Sequence, residues 1–117
     1  MCAAFSAEPL GVDIERERFL DEVALARRFF SPPEADLISE NRSQFLPLWT
    51  CREAAIKADG RGMSRLLESV SAAPGPSGFT VRIGGEAWEA LHWREDHAHA
   101  ALALRRIPEL ILWSDLR

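Results

Sequence analysis

A chain of 117 residues that is 47% apolar holds enough for one hydrophobic core and is short for two. Its formal net charge of −4 argues against broad attraction to nucleic acid or to an anionic membrane. Two cysteines, Cys2 and Cys51, fit neither a disulfide framework nor a zinc spacing. No apolar run approaches the roughly 18 residues of a membrane-spanning helix, and MCAAFSAEPLG lacks a signal peptide's basic start, so a soluble, cytoplasmic single domain over 1–117 is expected.

The segment CAAFSAEPLGVDIE reads as two extended pieces around a turn at Ala7-Glu8-Pro9. Leu10, Val12 and Ile14 alternate with Gly11, Asp13 and Glu15, so Asp13 and Glu15 share one strand face, about 7 Å apart. FLDEVALARRFF, residues 19–30, has helical spacing through Phe19, Val23, Ala26 and Phe30. Ser31 and Glu34 fit a capping box with Pro32 at the first helical position, which starts a short second helix, PPEADLIS. After a break at Asn41-Arg42-Ser43, a third helix is predicted from about Ser43 to Asp59, with Pro47 near its start and Gly60 as its C-cap. AAPGPSG, residues 72–78, is a loop by composition. FTVRI reads as a strand and Gly84-Gly85 as a turn. EAWEALHW and HAHAALAL form a strand pair around Arg94-Glu95-Asp96, and ILWSDL is a short closing strand. The order β, three helices, then two to four strands predicts an α+β domain with a small antiparallel sheet.

The third helix is unusual in cross-section. With Leu48 at zero and about 100° per residue, the apolar side chains cover most of the circumference, while Thr50, Glu53 and Lys57 fall on a strip about 60° wide. Arg52 lies on another side of the cylinder, at about 40°. A helix of this kind is expected to be buried except for one polar slot. Lys57 is the only lysine in a chain with thirteen arginines. Glu53 and Lys57 fit an ordinary i, i+4 ion pair, and Asp13 and Glu15 an ordinary solvated strand end. The alternative is a shared site. Three carboxylates make an oxygen donor set suited to Mg²⁺, and a compact ammonium beside them suits phosphate.

G-V-D-I-E at 11–15 and L-W-T-C-R-E-A-A-I-K-A-D-G at 48–60 resemble the two signatures of the 4′-phosphopantetheinyl transferases, G-[IV]-D-[IV]-E and W-[ST]-x-K-E-A-x-x-K-x-x-G. RRFFSPPE at 27–34 is similar to the segment between those signatures, and RGMSRLL after Gly60 to the one that follows. The likeness is to the C-terminal half of the larger, surfactin-synthetase-activating type, a pseudo-dimer. The length is similar to that of the compact holo-acyl-carrier-protein synthases, whose sites lie between subunits of a trimer. The resemblance implies the family fold and transfer of phosphopantetheine from coenzyme A to a serine of an acyl or peptidyl carrier protein. It implies Mg²⁺ at Asp13, Glu15 and Glu53, catalytic roles for Glu53 and Lys57, and contact of Lys57 with the diphosphate. Arg52 stands where the signature has lysine and is the further candidate for cofactor binding. The pairing of a half-length chain with this site implies a homodimer or homotrimer. A non-catalytic module that binds a carrier protein or synthase through the same fold is the alternative. His92, His97 and His99 match no family motif; His97 and His99 read as an ordinary strand rim.

Overall fold

The computed structural model describes residues 10–60, 70–75 and 78–105. Strand β1 (Leu10–Arg16) leads to helices α1 (Glu22–Phe29), α2 (Pro32–Glu40) and α3 (Phe45–Asp59). Strands β2 (Val70–Gly75), β3 (Gly78–Ile83), β4 (Glu86–Glu95) and β5 (Ala98–Leu104) follow. The sheet order is β1-β5-β4-β3-β2, with every neighbouring pair antiparallel. The expected α+β class holds.

Helix α3 lies against one face of the sheet. Its small residues Ala54, Ala55 and Ala58 let it approach closely, and they join Ala101, Ala103, Val81, Ile83 and Trp88 in the core. The closest approach is at Gly11. A Cβ there would run into the Ala54 carbonyl oxygen and the Ala58 amide nitrogen, both backbone atoms of α3. Only glycine lets the helix sit directly over β1. At the far end Gly60 takes a left-handed φ of 74° and donates its N–H to the Ile56 carbonyl, as expected of a C-cap.

Other boundaries differ from the sequence reading. Helix α1 starts at Glu22 rather than Phe19, because Asp21 caps it by accepting from the Ala24 amide; Phe19 is left exposed. A 3₁₀ turn, Arg42–Gln44, precedes α3, and Pro47 falls in the first turn of α3, where its missing N–H costs nothing. Residues 70–75 are a strand and not a loop. β2 is an edge strand, the one place in a sheet where Pro74 is tolerated. The β4–β5 turn falls at Asp96-His97, both with positive φ (51° and 61°), the backbone of a two-residue hairpin. The extended piece before Leu10, RGMSRLL and ILWSDL lie outside the described residues.

The alternation in β1 is present, with its faces assigned by packing. Gly11 and Asp13 face α3 and are buried, whereas Val12 and Ile14 are 46% and 67% exposed on the other side of the sheet. Trp93 of β4, paired across the sheet with Ala100, and Ala100 in turn with Ile14, extends that apolar outer face.

Candidate active site

The predicted strip on α3 exists. Lys57 is the one α3 residue with an exposed side chain, and Glu53 is half-buried beside it. Thr50, at the buried end of the strip, turns its hydroxyl back to the Leu46 carbonyl. Because α3 crosses β1 at Gly11, the strip faces the acidic side of that strand. Lys57 reaches Asp13 across 44 residues of sequence, with its Nζ 2.6 Å from Oδ1. The i, i+4 pairing with Glu53 is thus not the contact that orders Lys57. The hydrogen bond that Lys57 donates to Asp13 raises the pKa of its ammonium. Burial pushes the Glu53 carboxyl up, and the charges of Asp13 and Glu15 push in the same direction against Lys57. The charges of Asp13 and Glu15 thus act on Glu53 across the strip. Glu15 also lies 3.7 Å from Arg18.

A divalent cation fits this donor set on chemical grounds. The oxygens are hard, and Oδ2 of Asp13 is buried with no hydrogen-bond partner. Among the described residues, no three His, Cys, Asp or Glu side chains stand grouped as a metal site. Magnesium needs few protein ligands and keeps waters and substrate oxygens for the rest.

Arg52 is not part of this group. It points into the interior on another side of α3, where its Nη1 donates to both Glu34 oxygens (2.7 and 3.0 Å) and Nη2 to the Phe29 carbonyl. The guanidinium lies over the Phe30 ring, 4.7 Å from its centroid. Glu34 in turn accepts from the amide and hydroxyl of Ser31. Its donors are taken up by Glu34 and by backbone carbonyls, so the structure does not bring this candidate for cofactor binding to the acids. The whole segment Phe29–Glu34 converges on one guanidinium fork, a job a lysine cannot do.

Glu17 was missed by the sequence reading. It continues the every-second-residue series Asp13, Glu15, Glu17 just past the end of β1. Its carboxylate accepts two bonds from Arg94 (2.6 and 2.8 Å) and one from His99 Nε2 (2.8 Å), with His97 at 3.3 Å. Arg94 above all, with His99 and His97, pulls Glu17 down to about 2. His99 is buried, and its Nδ1 meets His92 Nε2 at 2.9 Å. Since Glu17 is ionised and acceptor-only, His99 donates from Nε2. Burial, helped by His99, lowers His92 to about 4. Glu17, His92, Arg94 and His99 wall a cavity of about 550 Å³ that also touches Arg42, Phe45 and Pro47. Its sheet wall adjoins the acids, because His99 pairs with Glu15 in the β1–β5 register. The expectation of a plain strand rim holds for exposed His97 and not for buried His99.

The sequence profile of the 4′-phosphopantetheinyl transferase superfamily matches residues 9–104. The chain belongs to that superfamily. It is 37% identical over 100 residues to 4′-phosphopantetheinyl transferase Sfp of Bacillus subtilis, covering 81% of this chain and 40% of the relative. It is 32% identical over 111 residues to 4′-phosphopantetheinyl transferase HetI of Nostoc, covering 89% of this chain and 46% of the relative. The chain thus spans less than half the length of these relatives. Its fold is similar to that of Helicobacter pylori holo-[acyl-carrier-protein] synthase, solved in complex with coenzyme A. The TM-score is 0.61 at 16% identity, over 81% of this chain and 97% of that one. No helix among the described residues is long and apolar enough to cross a membrane.

Proposed function

We propose that this protein transfers the 4′-phosphopantetheine group of coenzyme A to a serine of an acyl or peptidyl carrier protein, in the cytoplasm, with Asp13, Glu15 and Glu53 holding Mg²⁺. The observation that carries the reading is the convergence of Asp13 and Glu15 from β1 with Glu53 and Lys57 from α3, in a chain of this superfamily.

The bound cation would neutralise the diphosphate of coenzyme A. The remaining chemistry falls to the chain's own side chains. Glu53, directly or through a water, takes the proton of the serine hydroxyl. The serine oxygen forms its bond to the β-phosphorus as the bond to the bridging oxygen breaks, and 3′,5′-ADP departs. Lys57, charged and mostly exposed, offsets the negative charge that builds on the leaving phosphate. Arg52 keeps α2 and α3 in register and stays out of the reaction.

The same reading includes a homodimer or homotrimer. Support comes from the outer face of the sheet, where Val12 and Ile14 of β1 and Trp93 of β4 are exposed large apolar side chains on either side of β5.

The test is incubation with coenzyme A, Mg²⁺ and a panel of apo carrier proteins, read by the phosphopantetheine mass increment on the carrier. Transfer to at least one carrier is expected. No transfer to any carrier, together with no calorimetric binding of coenzyme A, rejects the enzyme. Carrier binding without modification would instead make the chain a carrier-binding module.

A further inference from the structure

Lys57 and a divalent cation compete for the same carboxylate. The ammonium stands 2.6 Å from Oδ1 of Asp13, whose other oxygen is buried without a partner. The two partners are unlike in freedom. The Asp13 side chain is 9% exposed and fixed under α3, while that of Lys57 is 56% exposed on a flexible stem. We propose that Lys57 is the resident counter-cation of the metal-free site, holding Asp13 until a divalent cation displaces it, and that this displacement is what frees its ammonium for an incoming phosphate. The inference rests on reading Asp13, Glu15 and Glu53 as the cation site.

Three observations support it. A carboxylate buried to this degree without a positive partner is costly, so something must neutralise Asp13 before metal arrives. Lys57 is the cation that does so, and the other strip residue beside it, Glu53, adds negative charge to the site. Oδ2 of Asp13 is also buried with no hydrogen-bond partner, so the carboxylate keeps an oxygen for a cation while Oδ1 holds the ammonium. Finally, the exchange explains the residue type. An arginine would grip a carboxylate with a rigid two-pronged fork and release it less readily; a lysine holds it as a single movable point charge. A chain that uses arginine thirteen times keeps its one lysine where the cation must let go.

The experiment measures cation binding, without turnover. Mn²⁺ is titrated calorimetrically into the full chain and into the Lys57→Met and Lys57→Gln variants, whose folding is checked by thermal melting. Removing a competing charge at a half-exposed position should tighten binding about tenfold. Because Lys57 is the only lysine, ¹⁵N-lysine labelling gives one Nζ resonance, which should shift when Mg²⁺ saturates the protein and lose its Asp13 partner in Asp13→Asn. Equal or weaker binding in both Lys57 variants, or an Nζ resonance indifferent to Mg²⁺, overturns the exchange and leaves the cation site standing. If neither the wild-type chain nor any Lys57 variant binds Mn²⁺, the cation site itself is rejected, and the exchange with it.

Discussion

Arg52 and Glu34 form an ion pair at 2.7 Å with both side chains almost completely buried, joining the start of α2 to the middle of α3. Buried charges are stable together and costly apart. Glu34→Ala leaves a guanidinium without its partner in the core and is expected to destabilise the fold by about 3–5 kcal/mol. Arg52→Lys should also lose stability, because one ammonium cannot serve two carboxylate oxygens and two carbonyls. Urea denaturation measures both. If Arg52→Lys is as stable as the parent and fails only in transfer, the guanidinium belongs to the reaction after all.

Gly11→Ala tests the crossing of α3 over β1. The new methyl meets two backbone atoms that cannot rotate away, so the helix must lift off the strand. A loss of at least about 1–3 kcal/mol is expected, with weaker cation binding as Glu53 and Lys57 are carried away from Asp13. A melting temperature equal to that of the parent would show that the crossing is looser than described.

Glu53→Gln keeps the shape of the strip and removes its base. Transfer should fall about 100-fold or more if Glu53 takes the serine proton. Coenzyme A binding should persist, since Glu53 is one of three carboxylates. Near-normal turnover would reassign the base.

Acid should weaken the fold in two steps. His92 has its pKa lowered from 6.5 to about 4, so below pH 6.5 the unfolded chain binds a proton that the folded one refuses. Stability is therefore lost as pH falls from 6.5 towards 4. Glu17, lowered from 4.5 to about 2, adds a second loss between those values. Thermal melts from pH 7.5 to 2 should show both, and His92→Gln should remove the upper step alone. An unchanged profile in His92→Gln would place the titration elsewhere.

The outer face of the sheet can be tested by charge. Ile14→Glu should leave the melting temperature nearly unchanged, as the side chain is mostly exposed, while sedimentation shows smaller species than the parent. Identical sedimentation would move any subunit contact to another surface.

Much of this was legible in the residues. Helix α3 announced itself by its narrow polar strip, and Gly60 by its place after the last turn. The acids on β1 followed from strict alternation. Local signals failed where a tertiary partner or an edge position decides. Pro74 reads as loop until β2 is known to be an edge strand. Arg52 reads as a variant of a phosphate-binding lysine until Glu34 is found opposite, eighteen residues away. Which side of β1 is inside could not be read from alternation alone, because the apolar residues are the outer ones. Packing density explains it: α3 needs the glycine beneath it more than it needs a valine.

Strand β1 thus works as a double-sided edge, and the parity of its residue numbers separates two kinds of consequence. Changes at 13 and 15 should be read out in chemistry, and changes at 12 and 14 in assembly. Inserting a single residue after Leu10 would exchange the two sides at once. Isoleucine and valine would turn towards α3, and the carboxylates would turn outward onto the apolar face. Such a protein would fail in catalysis and in association from one lesion, so in this strand a frame of alternation has to be preserved as strictly as any individual side chain.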